Sequence, residues 1–348
     1  WDYLDKDITP NINKLVETGV RAESLKPAFP SKTFPNHQTI ITGMYPEHHG
    51  IIFNWFHDCA SRQIYSSSDS IAKTNPDWYK GEMFWETANA NGLKTACFFW
   101  PGSALTDTLR QPTYFYNYDE SISYEDRVDQ VIDWLQFPES KRPHFISLYF
   151  EITDTYGHNY GPESDKMNPA ISLLDNMVGK LSSDLESIGM KDSVNIILVS
   201  DHGMTEISKE KSINIEKLIP EYKVEFGGSE PSLMVKPNDD EIKEVYNILK
   251  ANEFHYKAYL KNEIPDYLHF SENKNIFPIL LVADLGWSLI DNEIEEKHNK
   301  YFSNGNHGYD NSHLDMHGIF VANGPSFRKG LRTGTIEKRV WAGSLNLQ

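Results

Sequence analysis

Val194-Asn-Ile-Ile-Leu-Val-Ser200-Asp201-His202-Gly203-Met204 turns from aliphatic to polar at a single point. A short apolar run of this kind, bounded by polar residues, reads as a buried strand. The carboxylate and imidazole that follow mark its carboxyl end. Two further runs have the same character, Lys94–Trp100 and His144–Glu151, and they are interleaved with helix-like segments at Tyr124–Leu135 and Asp165–Gly189. Alternation of this sort predicts an α/β fold with a largely parallel central sheet flanked by helices. Ligands of such sheets bind beyond the carboxyl ends of the strands. Asp201 follows one of these ends at once, and Asp154 follows another closely.

Between about Glu206 and Asn306 the pattern changes to short strands, at Ser232–Lys236 and Pro278–Ala283, with one helix at Asp239–Asn252. The chain is therefore expected to hold a first catalytic part over 1–205, an inserted small-strand subdomain over 206–306, and a return to the main sheet with a divergent tail over 307–348, the return strand lying at Gly318–Ala322. The 348 residues, 39% of them hydrophobic, suffice for a substantial core. With 50 acidic against 33 basic residues and a formal charge of -17, broad attraction to a nucleic-acid polymer or an anionic membrane is excluded as a function class. Any phosphate must be held by local groups or metal ions. The only cysteines, Cys59 and Cys97, supply no CxxC motif and no disulfide framework, and buried thiols are expected for both. No apolar run reaches the roughly 18 residues of a membrane span.

Asp154-Thr-Tyr-Gly-His158 places a carboxylate and an imidazole four residues apart, so that both can face one point where the chain turns after a strand. Both are ordinary zinc ligands. A lone Asp-x-x-x-His is more often a surface pair, and a lone Asp-His-Gly is often a polar turn. The third piece is His317, in Asp315-Met-His-Gly318, ahead of another apolar run. All three lie at strand ends, where one cleft can gather them. Five ligands exceed one tetrahedral zinc and point to two metals, which in phosphoryl transfer stand about 3.5–4 Å apart. Histidine and carboxylate without cysteine favour Zn²⁺, with Mn²⁺ as the other fit.

Upstream, Phe29-Pro-Ser-Lys-Thr33-Phe-Pro-Asn-His37 reads as a loop entering a helix near Thr33, whose first-turn N–H groups would face a phosphate. Two roles compete for Ser31 and Thr33. Either residue can serve as an N-cap, the commoner role, or Thr33 can be a nucleophile activated by a metal or base.

The stretch PSKTFPNHQTIITGMYPEHHGI from Pro30, with DTYGHNYGP from Asp154, SDHGM from Ser200 and NHGYDNSHLDMHGIF from Asn306, closely resembles the ordered motifs of the ectonucleotide pyrophosphatase/phosphodiesterase family, in the alkaline phosphatase superfamily. The resemblance runs from Trp1 to about Phe327 and implies an alkaline-phosphatase-like fold. It implies two Zn²⁺ per active site in the complete protein: Asp154, His158 and His317 on one, and Asp201, His202 and the Thr33 hydroxyl on the other. Thr33 would be the nucleophile. Asn54, with a backbone N–H of the nucleophile loop, would hold a phosphate oxygen. Phe34 and Tyr118 would sandwich a nucleobase, and Trp100 would line the same pocket. His37 and His49 match no ligand of the family.

The implied substrate is a nucleotide or dinucleotide, the reaction a zinc-dependent hydrolysis of its pyrophosphate or phosphodiester bond through a nucleotidyl-threonine, and the product a nucleoside 5′-monophosphate. Relatives that act on choline-phosphate lipids, and a catalytically silent binding protein, are the rival readings. An aromatic box suits a quaternary ammonium as well as a base. The resemblance also places the chain outside the cell or at its surface, with any membrane attachment through a terminal anchor that this sequence does not include. The family's second zinc has one more aspartate, in an Asp-Gly-Phe motif expected just ahead of Trp1. The chain as given is therefore expected to bind zinc poorly at the Asp201/His202 site. From Lys329 to Gln348 the sequence departs from the family's usual continuation.

Overall fold

The computed structural model describes residues 2–338; Trp1 and the last part of the divergent tail, 339–348, lie outside the described residues. Helix α1 (Pro10–Thr18) opens with proline, whose fixed φ and missing N–H suit a first helical position, and feeds strand β1 (Val20–Ala22). Helix α2 (Thr33–Thr42) ends at Gly43 in the left-handed region, where its N–H caps the Thr39 carbonyl. Strands β2 (Lys94–Phe98) and β3 (Tyr114–Tyr116), helix α3 (Tyr124–Leu135) and strand β4 (Pro143–Leu148) follow. Ser123 caps α3 by accepting from Asp126 N, with Glu125 and Asp126 placing negative charge in the first turn. Next come α4 (Ile152–Tyr160), the long α5 (Met167–Ser187) and β5 (Ile196–Val199). Asp175 on α5 is buried and accepts from Asn11 N at 3.0 Å and Ile12 N at 2.8 Å, so it caps α1 from a distance.

Beyond residue 206 stand β6 (Glu225–Ser229), β7 (Ser232–Lys236), α6 (Ile242–Ala251), β8 (Tyr256–Leu260) and β9 (Ile279–Ala283). They form an antiparallel sheet in the order β6-β7-β9-β8. Its two faces alternate as a period of two requires: Leu233, Val235 and Leu281 pack with Val245 and Leu249 of α6, while Met234 and Leu280 join the core that holds Phe53, Phe56 and Trp85. One face is thus covered by its own helix and the other by the first part of the chain. The chain returns as β10 (Phe320–Asn323) and β11 (Leu331–Thr333).

The main sheet is divided. Strands β3-β2-β4 are parallel throughout, in register Cys97 with Phe115 and Cys97 with Ser147. Strands β11-β1-β10-β5 are mixed, because β10 runs antiparallel to both β1 and β5 while β11 is parallel to β1. Apolar runs report burial and not direction, so this reversal is invisible in the sequence pattern. Both thiols are free, Cys97 buried in β2 and Cys59 partly buried. Among the described residues no helix is long and apolar enough to cross a membrane.

Candidate metal centre

Asp154 and His158 lie on helix α4 and not on a plain turn, so their four-residue spacing stacks them on one helical face. His158 Nε2 is 3.5 Å from Asp154 Oδ1, and a third side chain, His307, brings its Nε2 to 3.5 Å from the same oxygen and 3.2 Å from His158 Nε2. Ligand atoms of the three all fall within 4.8 Å of one another. The hydrogen bonds fix the tautomers. His158 Nδ1–H donates to Gly305 O at 2.8 Å, and His307 Nδ1–H donates to Ser31 O at 2.8 Å. Both Nε2 atoms therefore present lone pairs to each other and to Asp154 Oδ1, a buried atom without a hydrogen-bond partner. Three acceptors without a donor between them suit a cation. Burial holds the His158 imidazole below its ordinary pKa, and burial with the charges of His202 and Lys32 pushes His307 much lower, which keeps both rings neutral as ligands must be.

His317, expected in this set, stands elsewhere. Its Nε2–H donates to Asn311 O at 3.1 Å and its Nδ1 accepts from Ser24 Oγ at 2.8 Å, so neither nitrogen is open to a metal. Both His307 and His317 precede glycine in one short stretch, and the choice between them is made by the remote Ser31 carbonyl and Ser24 hydroxyl together with the nearby Asn311 carbonyl.

The second donor set meets the first across an imidazole stack, His202 lying on His307 at 3.6 Å and 11°. His202 Nδ1–H donates to Gly203 O at 2.9 Å, which turns Nε2 toward Asp201 Oδ2 at 3.2 Å and Thr33 Oγ1 at 3.3 Å. Burial alone would raise the Asp201 carboxyl, but the charges of His202, His37 and Lys338 outweigh it and hold the group below the usual carboxylate range. Burial likewise works against His202, yet Asp201 raises its pKa overall. His37 stays structural: its Nδ1–H donates to Thr33 O at 2.8 Å, with Asp201 Oδ2 3.6 Å away. His49 stays in the core, bonded to Thr39 and Pro35. Gly203 is required where it stands, because a Cβ there would run into the Asp315 and His317 carbonyls.

Thr33 is the first residue of α2 and the cap position is Lys32, which caps with no side chain. Ser31 is also occupied otherwise, donating to Tyr309 O at 3.1 Å and accepting from Gly308 N at 3.0 Å. The capping role thus falls to neither residue, and the Thr33 hydroxyl faces His202 at the positive end of a helix. Asn54 Oδ1 accepts from Phe34 N at 3.0 Å, which leaves its Nδ2 hydrogens as the donating end beside the nucleophile loop. The aromatic candidates each pack on a different neighbour: Phe34 edge-on to Tyr65 at 6.4 Å, Tyr118 against Phe99 at 5.2 Å, and Trp100 edge-on to His37 at 4.8 Å. Tyr118 is 48% exposed, as a stacking platform open to a ligand would be.

Two lysines to which the sequence assigns no role come into this centre. Lys32 is buried, donates to Glu230 O at 2.6 Å and threads past Gly308, and burial lowers its pKa to about 8 against the pull of Glu230 and Asp154. Lys338 is buried beside Asp201.

Residues 1–310 match the family described as type I phosphodiesterase / nucleotide pyrophosphatase. Human ectonucleotide pyrophosphatase/phosphodiesterase family member 1 is 38% identical over 343 residues, 95% of this chain and 36% of that protein. The bis(5′-adenosyl)-triphosphatase of Xenopus laevis is 35% identical over 336 residues, 96% of this chain and 72% of that one. The chain thus spans little more than a third of the human relative's length. Murine ectonucleotide pyrophosphatase/phosphodiesterase 5 superposes with a TM-score of 0.91 at 33% identity, over 100% of this chain and 92% of that one. A second solved form of the murine protein, an inactive threonine-to-alanine variant in complex with AMP, matches with the same TM-score of 0.91.

Proposed function

Because the chain belongs to the type I phosphodiesterase / nucleotide pyrophosphatase family, we propose that it hydrolyses a phosphodiester or pyrophosphate bond of a nucleotide, with Thr33 as nucleophile, and releases a nucleoside 5′-monophosphate. The observation that carries this reading is the pair of donor sets, Asp154/His158/His307 and Asp201/His202/Thr33, joined by the stacked imidazoles of His202 and His307. The AMP complex of the murine relative supports a nucleotide as the ligand. Oxygen and nitrogen donors suit Zn²⁺ in both sets, where it would supply Lewis acidity toward the phosphoryl oxygens.

The chain's own residues account for the rest. Thr33 Oγ attacks phosphorus and forms a new P–O bond as its proton passes to solvent water, and the bond to the leaving group breaks with its electron pair going to the departing oxygen. Water then attacks the same phosphorus and the Thr33–phosphorus bond breaks, returning the hydroxyl and freeing the monophosphate. Asn54 Nδ2 and the Thr33 N–H, which opens α2, stabilise the equatorial oxygens, whose charge grows in the transition state. Phe34 and Tyr118 hold the base by stacking, which selects weakly among bases. The relatives' names describe ectoenzymes and venom proteins, and extracellular or cell-surface placement is proposed with them.

The test is release of nitrophenol by the zinc-supplemented full-length protein from the nitrophenyl ester of thymidine 5′-monophosphate, compared with nitrophenyl phosphorylcholine. Preference for the nucleotide ester is expected. Preference for the choline ester would assign the centre to lipid headgroups, and inertness toward both would make the protein a binder.

The ligand set has its own check. His307→Ala is expected to lower metal content by one ion per chain by mass spectrometry, while His317→Ala keeps the full complement. The reverse result would restore His317 to the set.

A further inference from the structure

We propose that residues 291–304 form a strap that closes on the end of helix α4 when an ion fills the Asp154/His158/His307 set and comes away from it when the set is empty. The proposal rests on the reading of those three side chains as a metal site.

The strap begins with helix α7 (Asn292–Lys300), capped by Asp291, whose Oδ1 accepts from Ile294 N at 2.7 Å. None of its nine residues is buried. Helices shorter than about 12–15 residues are marginal unless an apolar face packs. Helix α7 offers only the half-buried Ile294, with Phe302 packed on the subdomain core just past its end. It is fastened instead by polar contacts at its rim: Lys217 Nζ to Glu295 Oε2 at 2.6 Å, Lys209 Nζ to Asn299 Oδ1 at 2.8 Å, Asn214 Nδ2 to Asn292 Oδ1 at 2.9 Å, and His298 Nε2 beside Glu230 Oε1 at 2.8 Å. Exposed pairs of this kind contribute little each and weaken with salt. A segment so held opens locally at a small free energy.

The far end of the strap meets α4. A helix leaves its last carbonyls without intrahelical partners. In α4, His158 O accepts from Asn304 N at 2.8 Å and from Ser303 Oγ at 2.9 Å, while Asn159 O accepts from Asn304 Nδ2 at 2.7 Å. Tyr301 adds a bond from its hydroxyl to Asn159 Oδ1 at 2.5 Å. The strap therefore caps the helix that presents Asp154 and His158.

Beyond residue 304 the chain is held firmly. Gly305 and Asn306 pair with Glu206 and Thr205, and the next two residues bond to Ser31 through His307 Nδ1–H and Gly308 N. His307 is thus a fixed point. An ion shared with Asp154 and His158 would draw α4 onto it and bring the end of the helix to Ser303 and Asn304. Without an ion, two imidazole lone pairs and a carboxylate oxygen face one another at 3.2–3.5 Å, and their repulsion pushes α4 away from His307. The strap's bonds to the end of α4 are those that such a movement breaks. By linkage, whatever loosens the strap must loosen the ion by the same factor.

The experiment is hydrogen exchange read by mass spectrometry on the full-length protein, zinc-loaded and metal-stripped, with zinc content measured alongside. Amides of residues 292–304 are expected to exchange about tenfold faster in the stripped protein, with α3 and α6 unchanged. Tyr301→Phe combined with Lys217→Gln, both outside the donor sets, should speed release of one zinc to a chelator about fivefold. Equal exchange of the strap in the two forms, equal loosening of α3 and α6, or unchanged zinc release from the double variant would each overturn the proposal and leave the ligand set standing. Protein that takes up no zinc would remove the metal reading, and the proposal with it.

Discussion

Replacing Thr33 by alanine is expected to lower turnover of a nucleotide ester by about a thousandfold or more, while the unfolding midpoint and the zinc content stay near those of the parent. The asymmetry follows from what the hydroxyl touches. Its one side-chain partner is His202 Nε2 at 3.3 Å, and neither the start of α2 nor the loop before it uses Thr33 as a cap. The loop is held instead by Ser31, Asn36 and His307, none of which the substitution disturbs. Asp201 and His202 remain to hold their ion. A covalent route through this oxygen therefore ends with its removal, whereas a hydroxyl that only oriented a water would leave measurable turnover. Retained activity, or loss of zinc, would count against the nucleophile assignment. Single-turnover trapping of a nucleotidyl-protein in the parent and its absence in Thr33→Ala would separate chemistry from binding.

Arg127→Met is expected to destabilise the protein by about 3–5 kcal/mol in urea denaturation, the range for breaking a buried ion pair from one side. Arg127 is fully buried on α3 and grips Glu151 with two nitrogens, at 2.8 Å and 3.3 Å. It also donates to Ile122 O and Tyr149 O and lies over the rings of Phe99 and Tyr124. Methionine fills much of the volume and replaces none of the donors, leaving two carbonyls without the guanidinium and Glu151 without its charged partner, held only by the Tyr124 hydroxyl at 3.0 Å. Arg127→Lys should recover little, because an ammonium cannot reproduce the planar fork. The effect would reach the metal centre, since Glu151 is the residue from which α4, with Asp154 and His158, sets out, and Phe99 is the ring behind Tyr118. A double replacement of Arg127 and Glu151 by apolar residues should cost less than Arg127→Met alone. A single-mutant loss below about 1 kcal/mol would show that the pair is solvated in solution.

The alternation of apolar runs and helices was legible because burial writes itself locally, as in Val194–Ser200, which contains β5, or Tyr124–Leu135, which is α3 to the residue. Asp154, His158, Asp201 and His202 are read from their place past apolar runs and Thr33 from the loop entering a helix, and the structure brings Asp154 to 3.5 Å from His158, and Asp201 and Thr33 to 3.2 Å and 3.3 Å from His202. Where the sequence misleads, the deciding partner is remote. His307 is preferred over His317 because Ser24 and Asn311 occupy both nitrogens of the latter. Ser31 is withdrawn from capping by Gly308 and Tyr309. The Asp-x-x-x-His spacing fits a turn and a helix equally well, and only the packed α4 selects the helix. Lys338 had no local signal at all, since nothing in Ile336-Glu-Lys338 announces burial against Asp201.

The hydrogen bond from His307 to Ser31 closes a span of 276 residues, and the one between Ser24 and His317 closes 293. Contacts of such sequence separation form late, because the entropy of closing long loops must be met before they contribute. A chain emerging from the ribosome would carry Thr33, Asp154 and Asp201 well before His307 arrives to complete the first donor set. Nascent chains therefore pass through a period in which the nucleophile exists without its full metal environment, and acquisition of the first ion should follow synthesis of the segment that carries His307.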